Sequence, residues 1–256
     1  MILRRITQHV REQNWTAIAL DFLIVVVGVF LGIQLGNWNE ARADKQREGQ
    51  YFESLASDIS EEALVLDDVQ YALRVRTSVI DILFEEARGQ SLPQEISTSL
   101  RVNGIAAEGN FSMPQRVDLD GTDRDLFLSF AIFARIFSEQ SSTFETLRAT
   151  GDLGLIEERT LAYEIASYYE TIENLSYLET GTVRDTRDHA ADIAKRHGLN
   201  PFGPNDYGRV TDAIRSDDEF AASLRALRNI SATNYALAES ADRRGNKILE
   251  QLDGAD

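Results

Sequence analysis

Between Thr16 and Asn37 the chain carries 22 residues whose only charged side chain is Asp21. As a helix they would extend roughly 33 Å, about the hydrocarbon thickness of a bilayer. Phe22 to Ile33 is uninterrupted by any charged or strongly polar side chain, and Trp15 and Trp38 bracket the segment, where amphipathic rings favour the headgroup layer. Thirteen Leu, Ile, Val and Phe residues lie inside it. At about −0.3 to −0.6 kcal/mol each they contribute roughly −4 to −8 kcal/mol to insertion, against at most about +3.5 kcal/mol for an Asp at the centre. Asp21 lies near one end, within reach of interfacial water. The segment therefore predicts a membrane span over 16–37. Two other readings fit less well. A buried helix of a soluble core does not call for an indole at each end. A cleaved signal peptide would use Ala41-Arg42-Ala43 as its small-x-small site, but the 21 residues ahead of the apolar run are long for an n-region.

The flanks carry nearly equal positive charge. Arg4, Arg5 and Arg11 precede the span and Arg42, Lys45 and Arg47 follow it, so with the α-amino group the balance tilts towards a cytoplasmic N-terminus and an outer C-terminal part. Within the span Gly28, Gly32 and Gly36 recur every fourth residue, a doubled small-xxx-small pattern that lets helix backbones approach closely. Asp21, seven residues before Gly28, falls on the same face. This face predicts a seam for a homodimer or a partner membrane helix.

Two stretches carry a family resemblance. The first is the charged start, Asp21 at the entrance of the span, and the exit Asn37-Trp38-Asn39-Glu40. The second runs from Thr143-Phe144-Glu145-Thr146-Leu147-Arg148-Ala149-Thr150-Gly151-Asp152-Leu153 through Leu155-Ile156 and Leu161 to Tyr168-Tyr169. Together they resemble a domain-of-unknown-function family of bacterial single-span membrane proteins whose N-terminal transmembrane helix ends in a Trp-Asn-Glu motif. The resemblance implies a helical protein anchored in the bacterial inner membrane. It carries no activity, substrate or catalytic residue. The glycine face is denser here than the family pattern, so self-association is an expectation for this chain alone.

Beyond the membrane the pattern remains helical. Phe52, Leu55, Ile59, Glu62, Leu66, Val69, Leu73, Arg76, Ile80 and Leu83 recur at alternating spacings of three and four, a heptad-like seam with two polar interruptions. Exposing its eight apolar members would forfeit roughly 12–24 kcal/mol of transfer free energy. The seam must therefore pack, either in a bundle with the rest of the chain or against a second subunit, and the bundle is the simpler partner. No proline occurs from Met1 to Leu92, so the membrane helix is expected to continue into this stalk over 38–88, with Gly49 its weakest point. Residues 89–122, rich in Gly and Pro, read as an irregular loop with a short helix from Pro93 to Val102. From 123 to 256 further helices follow: one with Leu126, Phe130, Phe133 and Phe137 on a face, one opened by the capping box Ser142-x-x-Glu145 and stopped at Gly151, one striped by Leu161, Ile165, Tyr168, Ile172 and Leu175, and a last one capped by Ser216-x-x-Glu219. No alternating run suggests a sheet. The expected fold is all-α: a short N-terminal segment over 1–15, the transmembrane helix continuing into a long stalk helix, and an up-and-down helical bundle.

Chemistry is sparse. Zero cysteines exclude disulfides, thiolate metal sites and cysteine nucleophiles. Residues 1–40 are neutral in sum, so the net charge of −16 falls on residues 41–256, and such a surface disfavours nucleic acid. There is no phosphate-binding glycine loop, no His-Glu-x-x-His and no Gly-x-Ser-x-Gly, hence no indicated cofactor or enzyme class. Asp118, Asp120, Asp123 and Asp125 crowd around Gly121, but EF-hand alignment puts Arg116 in the first ligand position and Phe127 where a bidentate Glu belongs. His189 and His197 stand two helical turns apart, with Asp185, Asp188 and Asp192 nearby, and read as solvated helix surface. The expected role is a non-catalytic interaction or scaffold module on a membrane. The alternative is an extracytoplasmic small-molecule sensor, its pocket roofed by the Gly89–Thr122 segment, that acts through a membrane partner.

Overall fold

The computed structural model describes residues 15–102, 105–133 and 142–254. The chain divides into two compact units, Met1–Tyr51 and Phe52–Asp256. One helix, α1 (Trp15–Arg88), contributes to both, and its hydrogen-bonded ladder passes through Gly49. The first unit, as far as it is described, is that helix alone.

In the second unit α1 is followed by strands β1 (Glu95–Val102) and β2 (Ile105–Ser112), then helices α2 (Phe127–Ile132), α3 (Ser142–Thr150), α4 (Arg159–Leu178), α5 (Arg184–Arg196), α6 (Tyr207–Ser216) and α7 (Asp218–Asp253). The fold is all-α, with one hairpin added. The heptad-like seam of α1 is its core: Leu55, Ile59, Leu66, Val69, Leu73, Ile80 and Leu83 are all buried. Their partners come from the same chain. Pairings of Ile59 with Gly245, Arg76 with Ser231 and Asp81 with Arg228 run in opposite sequence directions, so α7 lies antiparallel to α1. Ser167 with Arg244 and Glu179 with Asn234 make α7 antiparallel to α4 as well. At Gly245 the packing is close enough that an added Cβ would stand 3.2 Å from both Ile59 and Tyr168.

Three local expectations need correction. Residues 95–102 form a strand, not a helix, and pair antiparallel with 105–112 in the register Glu95↔Ser112 to Val102↔Ile105. Ile96, Thr98, Leu100 and Val102 alternate with Ser97, Ser99 and Arg101, a period of two with β-branched residues, and this outweighs helix propensity. Helix α2 ends at Ile132, so its buried side is Phe127, Leu128, Ala131 and Ile132; Phe130 and Phe133 are half-buried, and Phe137 lies outside the described residues. The last helix is capped by Asp217, whose carboxylate accepts from the Phe220 N–H at 3.0 Å, while Ser216 folds back on the Asp212 carbonyl and closes α6.

Other signals hold. Gly151 has φ +81° at the end of α3, the left-handed stop that a glycine provides. The stripe over 161–175 is the core face of α4, and α4 passes into α5 through a π-turn at Glu179–Val183. The stretch from Gln115 to Arg124 is strapped along α1: Arg74 donates to the Gln115 carbonyl, the Val117 N–H to Ser78, Arg116 pairs with Glu85 and Arg124 with Glu86.

Candidate functional site

The first candidate is the apolar part of α1. Phe22, Leu23, Ile24, Val25, Val29, Phe30, Leu31, Ile33 and Leu35 are all more than half exposed. Among the described residues nothing covers this strip, and large contiguous apolar patches are uncommon on soluble monomers. The helix is long and apolar enough to cross a membrane. Gly28, Gly32 and Gly36 line one side, and a Cβ built at any of them meets nothing within 4 Å. Trp38 is exposed at the end of the strip, with the Arg42 guanidinium 5.9 Å from its ring centroid. The side chains of Trp15 and Asp21 lie outside the described residues.

The second candidate is a line of buried polar groups in the bundle. It includes the two residues that interrupt the α1 seam. Glu62 accepts from the Tyr168 hydroxyl at 2.9 Å, and burial first, then the Glu62 charge, pushes that phenol well above its ordinary range. Arg76 donates to Ser231 Oγ at 3.2 Å and to the Ile132 carbonyl at 3.4 Å. Burial lowers its guanidinium to about 10, opposed by the charge of Glu179, so Arg76 is cationic at neutral pH. Glu179, in the π-turn, in turn accepts from Asn234 Nδ2 at 2.8 Å. Glu179 opens the π-turn, and its carboxylate is buried there.

Further along, Arg228 is fully buried and donates through Nε to Asp81 Oδ1 at 2.5 Å and through Nη1 to the Pro93 carbonyl at 3.0 Å. Arg116 approaches the other oxygen of Asp81 at 3.8 Å. This constellation clamps α1, α7 and the chain just after α1. Asp81 and Arg228 form a buried ion pair in which the Arg228 Nη2 makes no hydrogen bond. Only Glu62 and Arg76 carried a sequence signal, as charges in an apolar stripe. Asp81, Glu179, Arg228 and Asn234 carried none.

The two histidines among the described residues face acids at the start of the last helix or just before it. His197 Nε2 lies 2.8 Å from Asp217 Oδ2, and His189 3.4 Å from Glu219. Asp118 and Asp123 accept from the backbone N–H two residues on and so shape the turns around Gly121. Among the described residues no group of three or more His, Asp or Glu is placed to hold a metal ion. The bond from His197, then that from the Phe220 N–H, holds the Asp217 carboxyl below its usual range. A group depressed in the folded state stabilises at pH above its unfolded value of about 3.9 and loses that contribution as pH falls through the folded value. Asp217→Ala is therefore expected to lower unfolding free energy by about 1–2 kcal/mol at neutral pH, with the gap to wild type closing below pH ~4. Urea unfolding of the full chain in detergent at several pH values checks this; a gap independent of pH would refute it.

Comparison with protein-family models, with curated proteins and with solved structures gives no match.

Proposed function

We propose that the chain is a single-span membrane protein whose helical bundle serves as a non-catalytic interaction or scaffold module. The observation that carries this is the uncovered apolar strip of α1, which has a natural solvent only in lipid. The bundle supports the second half of the reading, because its buried charged side chains are bonded across elements, Glu62 to Tyr168, Arg76 to Ser231 and Asp81 to Arg228. The span sits in the bacterial inner membrane with the N-terminus cytoplasmic and the acidic bundle outside, in line with the slight excess of positive charge before the span. A reporter fused after Asp256 that is active on only one side of the membrane tests this orientation; activity on the cytoplasmic side overturns it.

The interaction is carried in part by the span itself. Gly28, Gly32 and Gly36 leave an open groove on one side of α1, and a second copy of the helix packs there with close backbone approach. Gly32→Leu fills the middle of that groove and is expected to lower self-association in a membrane two-hybrid assay by tenfold or more in signal, with expression and membrane fraction unchanged. An unaltered signal removes the seam, and the interaction role then rests on the bundle.

A further inference from the structure

At the end of the apolar strip, Trp38, Ala41, Arg42, Lys45 and Gln46 line a shallow notch, largely open to its surroundings, on one face of α1. Ala41, three residues after Trp38 and four before Lys45, carries the small side chain at the centre of this face, and the lining is mainly apolar. We propose that this notch binds the phosphate of an anionic lipid in the leaflet at this end of the span. The inference rests on the membrane-anchor reading and adds a ligand class to it.

The argument is one of charge and position. Arg42, Lys45 and Trp38 project from one side of the helix, because offsets of four and seven residues return to nearly the same angle. Arg42 is held against the indole face at 5.9 Å, which orients its fork of donors. Arg47 differs: it pairs with Asp44 at 2.5 Å. Neither Arg42 nor Lys45 meets a carboxylate among the described residues, in a chain with 42 acidic side chains to 26 basic ones. At about 100° per residue Glu40 and Asp44 fall on the far side and Glu48 roughly 90° to one side, so the notch face itself carries two positive charges and no carboxylate. A lipid phosphate takes the Arg fork and the Lys ammonium, its glycerol lies over Ala41, and its acyl chains follow the apolar strip below. Gly28, Gly32 and Gly36 centre roughly 120° away by the same helical arithmetic, so helix pairing through the glycines leaves the notch facing lipid.

The test uses Trp38 as a local probe. Full-length protein carrying Trp15→Phe is reconstituted into vesicles containing phosphatidylglycerol or phosphatidylcholine with a nitroxide near the top of the acyl chain. Quenching of Trp38 is expected at roughly 25-fold lower mole fraction of the labelled phosphatidylglycerol, since each of the two basic side chains near an anionic surface gives about fivefold. Arg42→Gln with Lys45→Gln should equalise the two lipids. Ala41→Leu, which keeps both charges but fills the notch, should reduce the preference severalfold. Equal quenching in the parent protein, or an Ala41→Leu variant with full preference, overturns the notch while leaving the anchor intact. Absence of quenching by either lipid overturns both.

Discussion

Asp81→Ala is expected to destabilise the bundle by about 3–5 kcal/mol, because it strands a buried charge. Arg228 has no exposed surface, and Asp81, itself 4% exposed, accepts its Nε hydrogen. With the carboxylate gone, the guanidinium keeps only the Pro93 carbonyl, and its Nη2 has no hydrogen-bond partner even in the intact protein. Few single substitutions elsewhere in the bundle should cost as much. The reason is the uncompensated cation, not the lost attraction, and a second variant separates the two. Asp81→Leu combined with Arg228→Met removes both charges and is expected to recover most of the loss. Urea unfolding of the full chain in detergent gives the midpoints. A single variant within about 1 kcal/mol of wild type would show that Arg228 finds water or another acceptor. The change should also be local before it is global: hydrogen exchange is expected to rise first just after α1, where Pro93 loses the clamp that ties it to α7.

The same pair shows where the sequence was readable and where it was not. The seam of α1 was legible because burial of one helix face imposes a period, and period survives in a single chain of letters. Glu62 and Arg76 broke that period, and both turn out to be buried with partners on other helices: Tyr168 for the first, Ser231 for the second. Arg228 and Asp81 could not be found this way, since 147 positions separate them and neither interrupts a stripe. The hairpin is hidden for a different reason. Its Gly- and Pro-rich surroundings suggested a loop, yet the alternation from Ile96 to Val102 and the Asn103-Gly104 pair between the strands form a strong short-range hairpin signal. The cap of α7 lies one residue beyond the capping box, because Ser216 and Asp217 are both good capping types and only the backbone decides between them: Asp217 has φ −121° and ψ 107°. On α1 the glycines and Trp38 stood out by residue type alone, whereas the notch over Ala41 depends on side-chain sizes at five positions.

Paired substitution of Val26→Asp and Val29→Asp is expected to move the protein from the membrane pellet to the supernatant. The thirteen large apolar residues of the span contribute roughly −4 to −8 kcal/mol to insertion. Two central aspartates cost about 2.5–3.5 kcal/mol each and also delete two favourable valines, so the balance passes zero. A single Val26→Asp leaves the sum near or below zero and should leave a mixed population, which makes the effect graded and the arithmetic testable. Both positions are exposed on α1, so neither change removes a contact from the bundle. The released protein should therefore keep its helical circular dichroism and its urea midpoint, and alkaline carbonate extraction with high-speed centrifugation reads the partition. Retention of the double variant in the pellet with an intact bundle would mean that something other than the strip holds the chain to the membrane. Loss of the fold along with the membrane would mean that lipid contact is part of what stabilises the helices beyond Phe52. If the fold persists and the anchor does not, the apolar strip acts as a tether only.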